Sequence, residues 1–153
     1  MMQNVMAATY PELFSAAVVY SGVAAGCFYS ASGQADAWNS TCAQGHVDAT
    51  PQTWASIVKN MYPGYSGSRP RMQIYHGSID TTLYPENYNE TCKEWAGVFG
   101  YTYTSPQQVE NNTPQSQYTT TIWGSNLHGI FATGVGHTVP VNGARDMQWF
   151  GFA

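Results

Sequence analysis

The stretch Phe14 to Ser21 (Phe-Ser-Ala-Ala-Val-Val-Tyr-Ser) is an apolar run with no alternation, closed by Gly22. A strand with one face in water alternates polar and apolar residues, whereas a strand lacking a polar face is covered on both sides, as in a parallel sheet flanked by helices. The neighbouring segments agree. Met1 to Tyr10 has its apolar positions at Met2, Val5, Met6 and Thr9 or Tyr10, the spacing of a helix, and Pro11 ends it. Gly26 to Pro51 reads as a long irregular loop. Thr50-Pro51 then opens a helix to Met61, with Thr50 as N-cap and Pro51 in the first turn. After turn residues from Pro63 to Pro70, Arg71 to His76 is the next strand, stopped by Gly77, and Pro85 to Gly97 is a further helix. Tyr118 to Trp123 and Gly129 to Val135, joined by Gly124-Ser125-Asn126, predict an antiparallel edge hairpin. Gly143 to Phe152 is a short amphipathic helix carrying Met147, Trp149 and Phe150.

Helix, strand, helix, strand, helix, strand, helix is the order of a doubly wound α/β layer structure. The first helix is already under way at Met1, and a sheet lacking one side would expose the kind of apolar edge that natural proteins avoid. Residues 1–153 are therefore expected to be one part of a larger α/β domain, with marginal folding by themselves.

Composition narrows the function. The 153 residues are 43% hydrophobic and 14% aromatic, enough for a packed core. Only 9% are charged, against a usual value of roughly a quarter, and neutral polar and aromatic residues take their place. Proteins that handle polysaccharide often have this balance, because rings stack on sugars and neutral polar groups bond their hydroxyls. A net charge of -4 with five Lys plus Arg argues against nucleic acid as a partner, since phosphate binding needs clustered cations. No apolar run approaches the ~20 residues of a membrane span, so no membrane partner is expected. Met1 to Tyr10 lacks the basic and apolar regions of a signal peptide. Secretion is expected instead from three glycosylation sequons, beginning at Asn39, Asn89 and Asn111.

Cys27, Cys42 and Cys92 match no zinc spacing, and no two histidines do either; no metal and no cofactor are expected. Cys27 and Cys42 flank a loop rich in Ser, Gly and Asn, which a disulfide would staple in an exported protein. Cys92 falls in a helix and reads as a buried thiol.

In open α/β sheets the reactive groups sit on loops at the carboxyl ends of the strands. His76-Gly77-Ser78-Ile79-Asp80 leaves the strand ending at His76, and Gly134-Val135-Gly136-His137 leaves the strand ending at Val135. An acid followed downstream by a histidine is the chain order of the last two members of a Ser-His-Asp triad on such a sheet. Imidazole titrates near pH 6.5, so it can take a serine proton and return it. The bland readings stand beside this: Asp80 also suits a turn cap, and His137 a hydrogen-bonded strand end. His76 reads as a structural hydrogen-bonding residue, and His46 and His128 as polar loop residues. Of the tryptophans, Trp38 in the irregular loop is a candidate sugar contact.

Met1-Met2-x-Asn4-Val5-x-Ala7-Ala8-Thr9-Tyr10-Pro11, Tyr20-Ser21-Gly22-Val23-x-Ala25-Gly26-Cys27-Phe28, Trp38-Asn39-Ser40-Thr41-Cys42, His76-Gly77-Ser78-x-Asp80-Thr81-Thr82-x-Tyr84-Pro85, Gly134-Val135-Gly136-His137-Thr138-Val139-Pro140 and Trp149-Phe150-Gly151-Phe152 occur in that order along the chain. Together they resemble the fungal acetyl xylan esterases of the feruloyl and acetyl xylan esterase group, over essentially the whole length. The resemblance implies the C-terminal half of an α/β-hydrolase, a mostly parallel sheet with flanking helices. It also implies Asp80 and His137 as acid and base of the triad, acetylated xylan as the partner, and a monomer when complete. In that family the Gly-x-Ser-x-Gly nucleophile stands just before the equivalent of Met1-Met2, so this chain is expected to lack it and to be inactive alone. Feruloyl esterase or polyester depolymerase activity on the same scaffold is the alternative, and a non-catalytic carbohydrate-binding remnant is another.

Overall fold

Successive side chains of a strand face opposite sides of the sheet, and here Val18 and Val19 enter two separate cores. The structure is a computed structural model that describes residues 1–29 and 38–152. In chain order its elements are α1 (Met2–Thr9), a 3-10 turn (Pro11–Leu13), β1 (Ala16–Tyr20), α2 (Ser40–Ala43), α3 (Pro51–Asn60), β2 (Arg71–Gly77), α4 (Glu86–Phe99), β3 (Gln108–Asn111), β4 (Tyr118–Gly124), β5 (Leu127–Ala132) and α5 (Gly143–Phe150). The strands form one sheet in the order β1-β2-β5-β4-β3. β1, β2 and β5 are parallel, and β4 is the strand that runs against the rest, antiparallel to both β5 and β3.

One face of the sheet is covered by α1, α3 and α4, whose Ala7, Ala8, Val58, Cys92, Trp95 and Ala96 pack with Val19, Met72, Ile74 and Leu127. The other is covered by α5, where Trp149 packs with Val18, Tyr75, Ile130 and Ala132. The mixed α/β architecture inferred from the element order is thus what the chain adopts. Polar bonds bolt the first layer together: Asn4 donates to Val23 O at 2.7 Å, Trp95 donates to Asn4 at 3.1 Å, and the Ala25 N–H reaches the buried carboxylate of Glu94 at 2.7 Å. Thr50 caps α3 by accepting from the Thr53 N–H, with Pro51 in the first turn.

The structure departs from the sequence reading in three places. The segment read as one irregular loop contains α2, capped by Asn39, whose side chain accepts from the Cys42 N–H; residues 30–37 of that loop lie outside the described residues. The expected hairpin is not at the edge. β5 begins two residues before the expected start, pairs with β2 in the sheet interior, and ends at Ala132, while a polar strand, β3, forms the edge.

The third departure is His128, which lies in β5 rather than a loop, its ring 4.7 Å from that of Trp149. Arg71 lies 5.0 Å from the centroid of the same indole. Burial first, then the charges of Arg145 and Arg71, push His128 down to about 4 from its ordinary 6.5. The imidazole is therefore neutral when folded and takes up a proton on unfolding once the pH falls below 6.5. Its contribution to stability is complete above that pH and is lost on the way down to about 4. His128→Gln is expected to flatten this part of the pH dependence, which urea midpoints of both proteins at neutral and mildly acidic pH would reveal.

Candidate active site

Because β2 and β5 run parallel with His76 opposite Phe131 and Gly77 opposite Ala132, the two chains leave the sheet at the same rim. Hydrogen bonds continue past the strands. Ser78 N–H donates to Ala132 O at 2.9 Å and Ile79 N–H to Val135 O at 3.0 Å, while the Gly134 N–H donates to Ser78 Oγ at 2.8 Å. This lacing fixes the first loop against the second, and a few residues on in each stand Asp80 and His137.

The two side chains meet: His137 Nδ1 lies 2.9 Å from Asp80 Oδ2. The Asp80 side chain is 0% exposed and that of His137 43%, so the acid is sealed behind an imidazole that reaches solvent. The other carboxylate oxygen, Oδ1, accepts the N–H groups of Thr82 and Leu83, each at 2.9 Å. A carboxylate accepts only, so Nδ1 carries the ring proton and Nε2 is left as a free base. That is the arrangement in which an imidazole can deprotonate a hydroxyl while the acid stabilises the imidazolium.

Among the described residues two serines share the rim, and neither bonds the imidazole. The Ser78 hydroxyl is committed to Gly134. Ser21, at the end of β1, has a φ of 45° and a buried hydroxyl without a partner. Among the described residues no cluster of three or more His, Cys, Asp or Glu could hold a metal ion. His76, read from sequence as structural, lies 3.3 Å from Asp80 Oδ2; the four-residue separation gave no sign of this, because the chain turns at Ser78 and Ile79.

Cys27 and Cys42 form a disulfide with Cα atoms 5.8 Å apart, and Cys92 is buried as a thiol. The stapled segment abuts the acid loop, since Tyr84 N–H donates to Ala43 O at 2.7 Å. Trp38, on the same segment, is 59% exposed and packs edge-on against Phe28, with ring centroids 5.2 Å apart. Of the sequon residues, Asn111 is exposed. Asn39 and Asn89 are half-buried, their side chains bonded to Cys27 O and to Glu86 and Tyr103. A cavity of about 630 Å³ lies elsewhere, lined by Asp48, Pro51, Lys93, Tyr101 and Tyr103, without either catalytic candidate.

Gly77 is what lets the loops approach, because a Cβ there would collide with the carbonyl oxygens of Val135 and Gly136. Main-chain atoms cannot swing aside as a long side chain can, so Gly77→Ala should push the His137 loop away from Asp80. We expect about 1–3 kcal/mol of destabilisation, read as a lower urea midpoint, together with loss of the low-field proton signal of the His137–Asp80 bond.

No family model matches the chain. It is 74% identical over all 153 residues to the probable acetylxylan esterase A of Aspergillus niger, covering 50% of that protein. It is equally similar, at 74% over 153 residues, to acetylxylan esterase A of Talaromyces purpureogenus, covering 40%. The solved acetyl xylan esterase from Aspergillus awamori superposes on the whole chain with a TM-score of 0.99 at 74% identity, the match taking in 56% of that structure. The chain therefore spans about half the length of the relatives it matches, and over that span it is similar in sequence and fold to the fungal acetylxylan esterases.

Proposed function

We propose that this chain is the acid-and-base portion of a serine carboxylic ester hydrolase that removes acetyl groups from acetylated xylan. The observation that carries the reading is the 2.9 Å contact between His137 Nδ1 and the buried Asp80 Oδ2 at the sheet rim, in a chain 74% identical to acetylxylan esterases. Asp80 holds the imidazole in the tautomer that leaves Nε2 free. His137 Nε2 takes the proton of the attacking serine, and the negative carboxylate stabilises the imidazolium that results. The imidazolium then protonates the departing sugar oxygen, which leaves as a hydroxyl and gives an acetyl-enzyme, and in the second half of the cycle His137 draws a proton from water to release acetate.

The nucleophilic serine and the oxyanion donors are supplied from outside these residues, since no described hydroxyl is bonded to His137. The 153-residue chain alone is accordingly inactive. Trp38 supplies an exposed ring for sugar stacking beside the acid loop, and the Cys27–Cys42 disulfide with the Asn111 sequon accords with secretion into an oxidising medium.

The test is a chimaera in which this segment replaces its counterpart in the Aspergillus awamori esterase. The chimaera should hydrolyse p-nitrophenyl acetate and release acetate from acetylated xylan faster than it cleaves methyl ferulate. Asp80→Asn should lower kcat by on the order of 10⁴ through the wrong histidine tautomer, and His137→Ala by at least as much. A chimaera whose Asp80→Asn form keeps more than a tenth of its activity would overturn the assignment, as would turnover by the isolated 153 residues above the imidazole background.

A further inference from the structure

His76 lies in the buried run of β2, one residue before its end, and the chemistry above makes no use of it. Its side chain is 1% exposed. Two acceptors face Nε2: Leu83 O at 2.9 Å and Asp80 Oδ2 at 3.3 Å. A carbonyl oxygen can only accept, so Nε2 carries the ring proton and Nδ1 is bare. Nδ1 is buried and has no partner. A second proton there would be an unpaired donor in the interior, and burial accordingly holds the titration of His76 below the ordinary histidine range. The ring is thus neutral, its Nε2–H bonded to Leu83 O with the Asp80 carboxylate 3.3 Å away.

The four contacts of Asp80 divide between its oxygens. Main-chain N–H groups of Thr82 and Leu83 hold Oδ1; the oxygen that serves His137 has no main-chain donor, and its second contact is His76. Leu83 closes the unit, since its N–H bonds Asp80 while its C=O takes the His76 proton. Strand end, loop and carboxylate form one hydrogen-bonded ring.

We propose that His76 is a positioning residue that holds Asp80 against His137 Nδ1, its Nε2–H bonded to Leu83 O and standing 3.3 Å from Asp80 Oδ2, a role that rests on the esterase reading. Neutrality is part of the role. A cation at this place would pair with the carboxylate and spend the charge that the imidazolium of His137 needs, while an apolar side chain would leave Leu83 O without its donor and Oδ2 free to turn.

Three substitutions in the chimaera separate the donor from the bulk of the ring. His76→Gln returns an amide N–H near the position of Nε2, His76→Asn places its amide nearer the position of Nδ1, and His76→Met has no donor. With Met or Asn, kcat for p-nitrophenyl acetate should fall about 10- to 100-fold, as when the partners that orient metal-binding histidines are removed, with KM unchanged. The low-field Nδ1 proton signal of His137 should weaken in parallel. Gln should restore both. The proposal fails if the Met variant keeps kcat and the signal, or if Gln loses as much as Met, which would assign the effect to packing. Should Met prevent folding, the contrast between Asn and Gln decides in the same way. If the unsubstituted chimaera has no esterase activity the functional reading fails, and the proton signal across the three variants still decides whether His76 positions Asp80.

Discussion

The parallel pairing of β2 with β5 does not stop where the strands stop, and the site depends on that continuation. Register places Gly77 opposite Ala132, and the bonds from Ser78, Ile79 and Gly134 extend the ladder into the two loops. A slip of one residue would reverse which face each side chain takes and would also carry Asp80 past His137. The Asp80–His137 contact is thus set by main-chain register before any side chain is chosen, and Gly77 allows the second loop to lie on the first without a Cβ between them.

Charge is handled with similar economy. A buried carboxylate is costly unless its oxygens are satisfied, and Asp80 accepts from two peptide N–H groups and the His137 imidazole, with the His76 ring 3.3 Å away. No arginine or lysine within ion-pair distance cancels it among the described residues. In the proposed mechanism its charge therefore remains for the proton that arrives on His137. Had the chain paired Asp80 with a guanidinium, the fold would have gained a buried ion pair and the imidazole would have lost its counter-charge.

Much of this was legible in the sequence, for identifiable reasons. Phe14 to Ser21 announced a buried parallel strand through missing alternation, Arg71 to His76 read as a strand stopped by Gly77, and Asp80 and His137 were singled out by the rule that loops at carboxyl ends carry chemistry. β3 was not legible, because Gln-Val-Glu-Asn has neither apolar alternation nor β-branched density, and tertiary pairing to β4 alone makes it a strand. β5 was displaced because Gly129 resembled a boundary; it is an interior position where the Tyr88 hydroxyl packs against the main chain and a Cβ would not fit. α2 is a single turn, too short for periodicity to register. His128 followed a turn and looked solvated, yet the strand carries it under Trp149.

The stapled segment explains why the acid loop can be so exact in position while carrying little regular structure. From Asp80 onward the chain is held on one side by its own carboxylate, through Thr82 and Leu83. On the other side Tyr84 N–H bonds Ala43 O, and Asn87 Nδ2 donates to the same oxygen at 3.1 Å. Ala43 follows Cys42, whose disulfide to Cys27 anchors α2 to the chain leaving β1. Asn39 adds a bond to Cys27 O at 3.2 Å. Loop order normally costs conformational entropy residue by residue; here part of that cost falls away because the cross-link already restricts the unfolded chain around the segment that braces Asp80. The acid loop and the exposed ring of Trp38 consequently adjoin the same disulfide-anchored segment.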